Sequence, residues 1–130
     1  MIMPSRVIHH VDLPVSDFAR SRAFYRALLA PLDLELVLEF DRGGGRYLAG
    51  FGTAPDPSFW IRSGVPFTDR QHVAFVAPSR AAVDAFHAAG LAAEGADNGP
   101  PALRPRYEPD YYAAYILDPD GHNIEAVFRG

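Results

Sequence analysis

Cysteine is absent from the 130-residue chain, so disulfides are excluded and any metal would have to be held by histidine and carboxylate side chains. No cluster of Lys or Arg falls on one predicted element, and the formal net charge is −4. The concentrated basic footprint that nucleic acid or an anionic membrane demands is therefore missing. No apolar stretch is long enough to cross a bilayer, and the opening residues MIMPSRVIHHVDL hold no signal-peptide apolar run. The expectation is a soluble, cytoplasmic protein. What is present is a composition 48% hydrophobic and 12% aromatic, enough to build a core. The length suits one compact domain or two half-size modules sharing that core.

Residues 7–15, VIHHVDLPV, alternate as a strand does, with Val7, His9, Val11 and Leu13 on one face. Ser16 is placed to cap a helix entered through Asp17-Phe18 and running to about Ala30, before Pro31. Phe18, Phe24, Tyr25, Leu28 and Leu29 recur near helical spacing and give that helix one buried face. LELVLEF (34–40), a Gly43-Gly44-Gly45 turn, RYLAGFG (46–52) and SFWIRSG (58–64) follow as three strands.

The second half repeats the order. QHVAFVA (71–77) reads as a strand, Ser79 as a helix cap, and Val83 and Phe86 as the buried stripe, with Gly90 placed for the helix C-terminus. A short strand is expected at LAAEGA (91–96), then a Pro-rich segment at 98–110. YYAAYIL (111–117) and HNIEAVF (122–128) close the half around the turn Asp118-Pro119-Asp120-Gly121. At one constant offset, His10-Val11 matches His72-Val73, Leu13 matches Phe75, Ala23-Phe24 matches Ala85-Phe86, and Tyr25 matches His87. The reading is an α+β fold of two βαβββ modules, 1–66 and 67–130, forming a curved, incomplete barrel as one structural domain.

Strand parity sorts the polar residues by face. His10 shares its face with Ile8 and Asp12, His72 with Ala74 and Val76, and Glu125 with Asn123 and Val127. Neighbours of opposite parity are apolar in each strand, which leaves His10, His72 and Glu125 on the inner face. Two imidazoles and a carboxylate form a facial set suited to Fe(II), Mn(II) or a similar divalent ion, with positions left open for substrate. Each residue also has a plainer reading: His10 as a hydrogen-bonded, half-buried histidine, and His72 as an exposed strand start. An unpaired carboxylate in a buried strand is costly, and this makes Glu125 the hardest to explain structurally. His9 has the wrong parity, His87 reads as a surface helix residue, and His122 as an orienting or structural one.

With these residues in view, the chain resembles the vicinal oxygen chelate superfamily, which includes glyoxalase I, bleomycin-resistance proteins, fosfomycin-inactivating enzymes and extradiol dioxygenases. The resemblance rests on His10-Val11-Asp12-Leu13 through Asp17 with Phe24-Tyr25, on His72-Val73-Ala74-Phe75, and on Leu117-Asp118-Pro119-Asp120-Gly121 through Glu125. It implies paired modules curling around a divalent metal (Fe, Mn, Zn or Ni), held at His10, His72 and Glu125. Lyase or dioxygenase chemistry on vicinal oxygens of a small molecule would follow, or, in the same fold, sequestration of a small ligand without catalysis. It also implies a homodimer, in which His10 serves either its own chain's site or its partner's.

Departures narrow the expectation. Glyoxalase I usually draws a fourth ligand, a Glu, from the last strand of its first module, and Ser58-Phe59-Trp60-Ile61-Arg62-Ser63 holds no carboxylate or histidine. Fosfomycin-inactivating members carry further binding residues toward the C-terminus, extradiol dioxygenases usually double the domain, and bleomycin-binding members lack the metal set. Candidate substrate contacts are Trp60 (or Phe59, whose face parity leaves open), Tyr111 and Tyr115 beside Glu125, and Arg106. Arg104 and Arg106 lie in the Pro-rich segment, which has the length of a lid and would let them meet an anionic substrate group, but two solvated arginines are the plainer and preferred reading.

Overall fold

The computed structural model describes residues 7–130. The first half runs β1 (Val11–Val15), α1 (Phe18–Leu29), β2 (Glu35–Asp41), β3 (Tyr47–Thr53) and β4 (Asp56–Ser63). The second runs β5 (His72–Val76), α2 (Arg80–Ala92), β6 (Ala96–Leu103), β7 (Tyr111–Leu117) and β8 (Asn123–Arg129). Each half folds into one four-stranded sheet, ordered β1-β4-β3-β2 and β5-β8-β7-β6. The first strand of each half pairs parallel with the last, and the other pairings are antiparallel. The result is an α+β pair of βαβββ modules that does not close into a barrel.

Alternation along the strands gives every sheet a helix face and an open face. Leu13, Phe59, Ile61, Ala49 and Phe51 from the first sheet share one buried cluster with Ile116, Ile124 and Ala126 from the second. Phe24, Tyr25, Leu28 and Leu29 of α1 and Val83 and Phe86 of α2 fill the space between. Fully burying a side chain of this size stabilises the fold by about 1.5–3 kcal/mol relative to leaving it in water. The halves are also joined directly. Phe59 meets Phe75 edge-on at 5.2 Å, the buried Tyr25 hydroxyl donates to Asp118, and Ser16 Oγ donates to Asp120 Oδ1 at 2.5 Å. Burial and the Asp118 charge hold the Tyr25 phenol well above its usual range, so it remains a donor.

Several local expectations are corrected. The first strand begins at Val11, so His9 and His10 precede it. Asp17, not Ser16, caps α1 by accepting from the Arg20 N–H, because Ser16 is drawn to Asp120. Ser79 does cap α2, accepting from Ala82 N–H. Gly90, however, lies inside α2 and Glu94 takes the left-handed position after it (φ 72°). Residues 91–92 are helix, and the strand comes later, at Ala96–Leu103, taking in Pro100 and Pro101. Prolines are tolerated there because β6 is an edge strand and its pairing to β7 is interrupted by bulges. His87 is buried, with Nε2 2.8 Å from Asp97 Oδ1, and is not a surface residue.

Gly90 packs against Ile116, where an added Cβ would stand 2.8 Å from Cγ1. Alanine favours helix over glycine by up to ~1 kcal/mol, but overpacking a filled core costs about 1–3 kcal/mol. Gly90→Ala is expected to be net destabilising by up to about 2 kcal/mol in urea unfolding. An unchanged or raised midpoint would show that Ile116 has room to move.

Candidate metal and substrate site

The open face of the second sheet gathers most of the sequence candidates. His72 opens β5, Glu125 lies in β8, and Tyr111 and Tyr115 lie on the neighbouring β7, with Tyr115 directly opposite Glu125. Glu125 is only 2% exposed although it belongs to the open face, because its neighbours cover it. His72 Nε2 lies 2.8 Å from Glu125 Oε1, and the Tyr111 hydroxyl donates to Oε2 at 2.5 Å. A buried carboxylate must be paired or hydrogen-bonded, and among the described residues both oxygens are engaged without an arginine. Burial, then the hydrogen bond to Glu125 and its charge, push the Tyr111 phenol far above its usual range. Burial and the Glu125 charge raise Tyr115 as well. Both hydroxyls therefore stay protonated across the neutral range.

Arg106 completes this side of the site. A cavity of about 440 Å³ is lined by His72, Asn98, Arg106, Tyr107, Tyr111, Tyr115, Asn123 and Glu125. Arg106 lies over the Tyr107 ring, 5.0 Å from its centroid. Sequence reasoning missed Asn98, which donates to Asn123 Oδ1 at 3.1 Å, and Tyr107. Asn123 carried the right signal, the parity of Glu125, whereas Asn98 was hidden by reading its strand as a loop. Only residues 104–110 remain as a connection, and they are tied down. Arg104 N–H donates to the Tyr111 carbonyl, Tyr111 N–H to that of Glu108, and Arg129 pairs with Glu108. His122, buried with Nδ1 accepting from Gln71 N–H, anchors the start of β5 as an orienting residue would.

His10 and Trp60 lie elsewhere. Both line a second cavity, of about 230 Å³, on the open face of the first sheet, with Asp12, Phe40, Arg42 and Leu48. Parity left Phe59 and Trp60 undecided; Phe59 is the core residue, and Trp60 faces outward. Among the described residues, no three His, Asp or Glu side chains of one chain converge tightly enough to hold a metal.

Comparison with known proteins follows this architecture closely. The sequence profile of the Glyoxalase/Bleomycin resistance protein/Dioxygenase superfamily matches residues 7–126. The chain belongs to that superfamily. Among solved structures, a glyoxalase/bleomycin resistance protein from Albidiferax ferrireducens is 34% identical over 95% of this chain and 100% of its own, with a TM-score of 0.78. A mutant glyoxalase I from Zea mays is 22% identical over 92% of this chain and 44% of its own, with a TM-score of 0.71. A mutant fosfomycin resistance protein from Listeria monocytogenes, complexed with Mn(II) and 1S,2S-dihydroxypropylphosphonic acid, is 22% identical over 96% of this chain and 93% of its own, with a TM-score of 0.67. The last two likenesses establish the superfamily fold and nothing finer. No curated protein matches the chain.

The raised Tyr111 phenol gives a direct test. Alkaline titration of phenolate absorbance should show no difference between wild type and Tyr111→Phe up to the ordinary tyrosine value of 10.0, with the Tyr111 contribution appearing only at higher pH. A difference emerging at or below that pH would mean that Tyr111 is neither buried nor hydrogen-bonded to Glu125 in solution as it is here.

Proposed function

We propose that the protein is a divalent-metal-dependent enzyme acting on a small molecule with two neighbouring oxygens, its metal held by His72 and Glu125 with His10 as third ligand. The observation that carries this reading is the buried Glu125 carboxylate, 2.8 Å from an imidazole nitrogen and, among the described residues, with no arginine paired to it. The donor set fits an ion. A metal about 2.0–2.2 Å from each of two adjacent donors holds them roughly 3 Å apart, so only a small opening of the pair is needed. His72 is half exposed and Glu125 is not, which leaves the site open on the solvent side. An Mn(II)-bound relative in the same fold supports metal binding as a property of the scaffold.

When bound, the metal supplies Lewis acidity to oxygens of the substrate. The chain's own residues prepare the site. Tyr111 donates to Glu125 Oε2 and so fixes the carboxylate plane, leaving Oε1 directed at His72. Tyr115 presents a protonated phenol within the same cavity, able to hydrogen-bond an oxygen of the substrate. Arg106 offers a cation at the rim.

The third ligand supports a homodimer. His10 lies on the open face of the other sheet, and the shared core turns both open faces away from each other's helices. Pairing the first sheet of one chain with the second sheet of another would bring His10 to His72 and Glu125 and would make the contact isologous. The exposed edge strands agree with this. Val76 of β5 is 82% exposed, as an apolar residue awaiting a partner would be.

Elemental analysis of protein purified without chelators should find about one transition metal per chain, lost in His72→Ala and Glu125→Ala. Absence of metal under every loading condition would overturn the reading in favour of a non-catalytic ligand-binding protein. Mixing His10→Ala and Glu125→Ala chains distinguishes the two origins of His10. If His10 comes from the partner, each mixed dimer holds one intact site, and about a quarter of wild-type metal and turnover should return. If His10 serves its own chain, none returns.

A further inference from the structure

The open face of the first sheet carries chemistry that metal binding leaves unused. Trp60 of β4 lies across β3 at Gly50, where an added Cβ would stand 2.8 Å from indole Cε2 and Cζ2. The missing side chain lets the indole lie down on the sheet. There it runs nearly parallel to the Phe40 ring of β2, with centroids 5.9 Å apart and an interplanar angle of 13°. Leu48 adds to this apolar floor. His10 and Asp12 line the same cavity, together with Arg42, whose guanidinium lies 5.3 Å from the Phe40 centroid.

Arg42 and Leu48 also line an adjoining cavity of about 460 Å³, together with Arg46 and Arg62. Arg62 is matched by Asp12 at 2.7 Å. Arg42 and Arg46 pair with no carboxylate among the described residues. Their acidic neighbours on β2 have other partners: Glu39 binds Arg22, and Asp41 accepts from Gly43 N–H. Three arginines against one aspartate thus make a positive end to an aromatic trough, on a chain whose net charge is −4. Arg46 donates from Nε and Nη2 to the Gly43 and Arg42 carbonyls, so it contributes mainly charge, whereas Arg42 shows no side-chain hydrogen bond among the described residues. An apolar floor alone would fit many ligands, but this positive end selects among them. Planar donors of this kind recognise carboxylates through paired hydrogen bonds, and flat aromatic faces favour flat ligands.

We propose that this face binds a planar organic anion, an aromatic or conjugated carboxylate whose ring rests on Trp60 and Phe40 and whose carboxylate meets Arg42 beside the charge of Arg46. As a statement of substrate class it rests on the metal-enzyme reading, because His10 at the trough would then bring the ligand's other end toward the metal. Binding itself requires only this face.

Trp60 is the only tryptophan in the chain, so its fluorescence reports on the site directly. Protein treated with EDTA is titrated with cinnamate, with its neutral amide, and with cyclohexanecarboxylate, which keeps the charge but not the flat ring. Cinnamate is expected to saturate and to bind about tenfold more tightly than either analogue, as a charge-assisted hydrogen bond and a stacked ring each predict. Arg42→Gln, an exposed substitution next to the hairpin, should abolish the preference for cinnamate over its amide. No saturable change, equal affinities for the three ligands, or an unaltered preference in Arg42→Gln would overturn the proposal. Because the titration is metal-free, the two readings fail separately. Cinnamate selectivity without metal uptake removes only the catalytic reading, and metal uptake without selectivity removes only this one.

Discussion

Both sheets bury their apolar faces in one shared core, and the rest of the molecule is arranged by that constraint. Leu13, Phe59 and Ile61 from one sheet and Ile116, Ile124 and Ala126 from the other cannot leave the cluster without exposing large apolar surface. Each strand's alternate residues are therefore forced outward, whatever their chemistry. His72, Glu125 and Tyr115 share one outward surface, and Asp12, Trp60 and Arg62 share the other. The same constraint separates His10 from the other two candidate ligands within a single chain. The geometry of the candidate site is a by-product of where the core must be.

Glu125 shows how such a surface can hold a group that burial would ordinarily reject. Its carboxylate is enclosed by an imidazole and a phenol, not by a cation of fixed charge. A lysine or arginine partner would neutralise the carboxylate permanently and compete with any ion for its oxygens. An imidazole, itself a metal-ligating group, leaves the carboxylate available, and a protonated phenol steadies it without withdrawing it. The low exposure of Glu125 and the half exposure of His72 together describe a donor pair protected on one side and accessible on the other.

The sequence disclosed those features that depend on period and failed where tertiary contacts outweighed local preference. Alternation in the runs His10-Val11-Asp12-Leu13 and His72-Val73-Ala74-Phe75 and the repeat of Ala-Phe at matched helix positions were enough for the order of elements and for which strand residues share a face. Phe59 and Trp60 remained undecided because both are aromatic, and only the contact of Phe59 with Tyr25 and Phe75 separates them. Ser16 looked like the better cap until Asp120, more than a hundred residues away, claimed its hydroxyl. His87 looked exposed because its burial depends on Asp97, a residue on β6, and that strand itself was obscured by prolines. Arg104 illustrates the same limit, since its guanidinium is turned inward to the Pro100 and Ala113 carbonyls and the Tyr115 ring and does not wait in solvent. Of the candidate site, one sheet's share was legible from parity; the partition between two open faces was not, because it depends on how the halves pack.

Trp60 brings these strands of reasoning together. The outward position on the last strand of the first module, where glyoxalase I usually places a carboxylate ligand, here holds an indole. That exchange is not confined to one residue. Gly50 gives up its side chain so that the ring can lie flat, and Phe40 runs parallel to it from the strand beyond. A lone substitution of ligand by aromatic would leave a tryptophan standing in solvent, whereas three coordinated positions on adjacent strands build a surface. Replacing a fixed negative charge with an apolar plate also removes the repulsion that would keep an anion from Arg42 and Arg46. On the proposed reading, the position that supplies no ligand to a metal is the one that makes room for an acid beside it, and the two features are better read as one adaptation than as a loss.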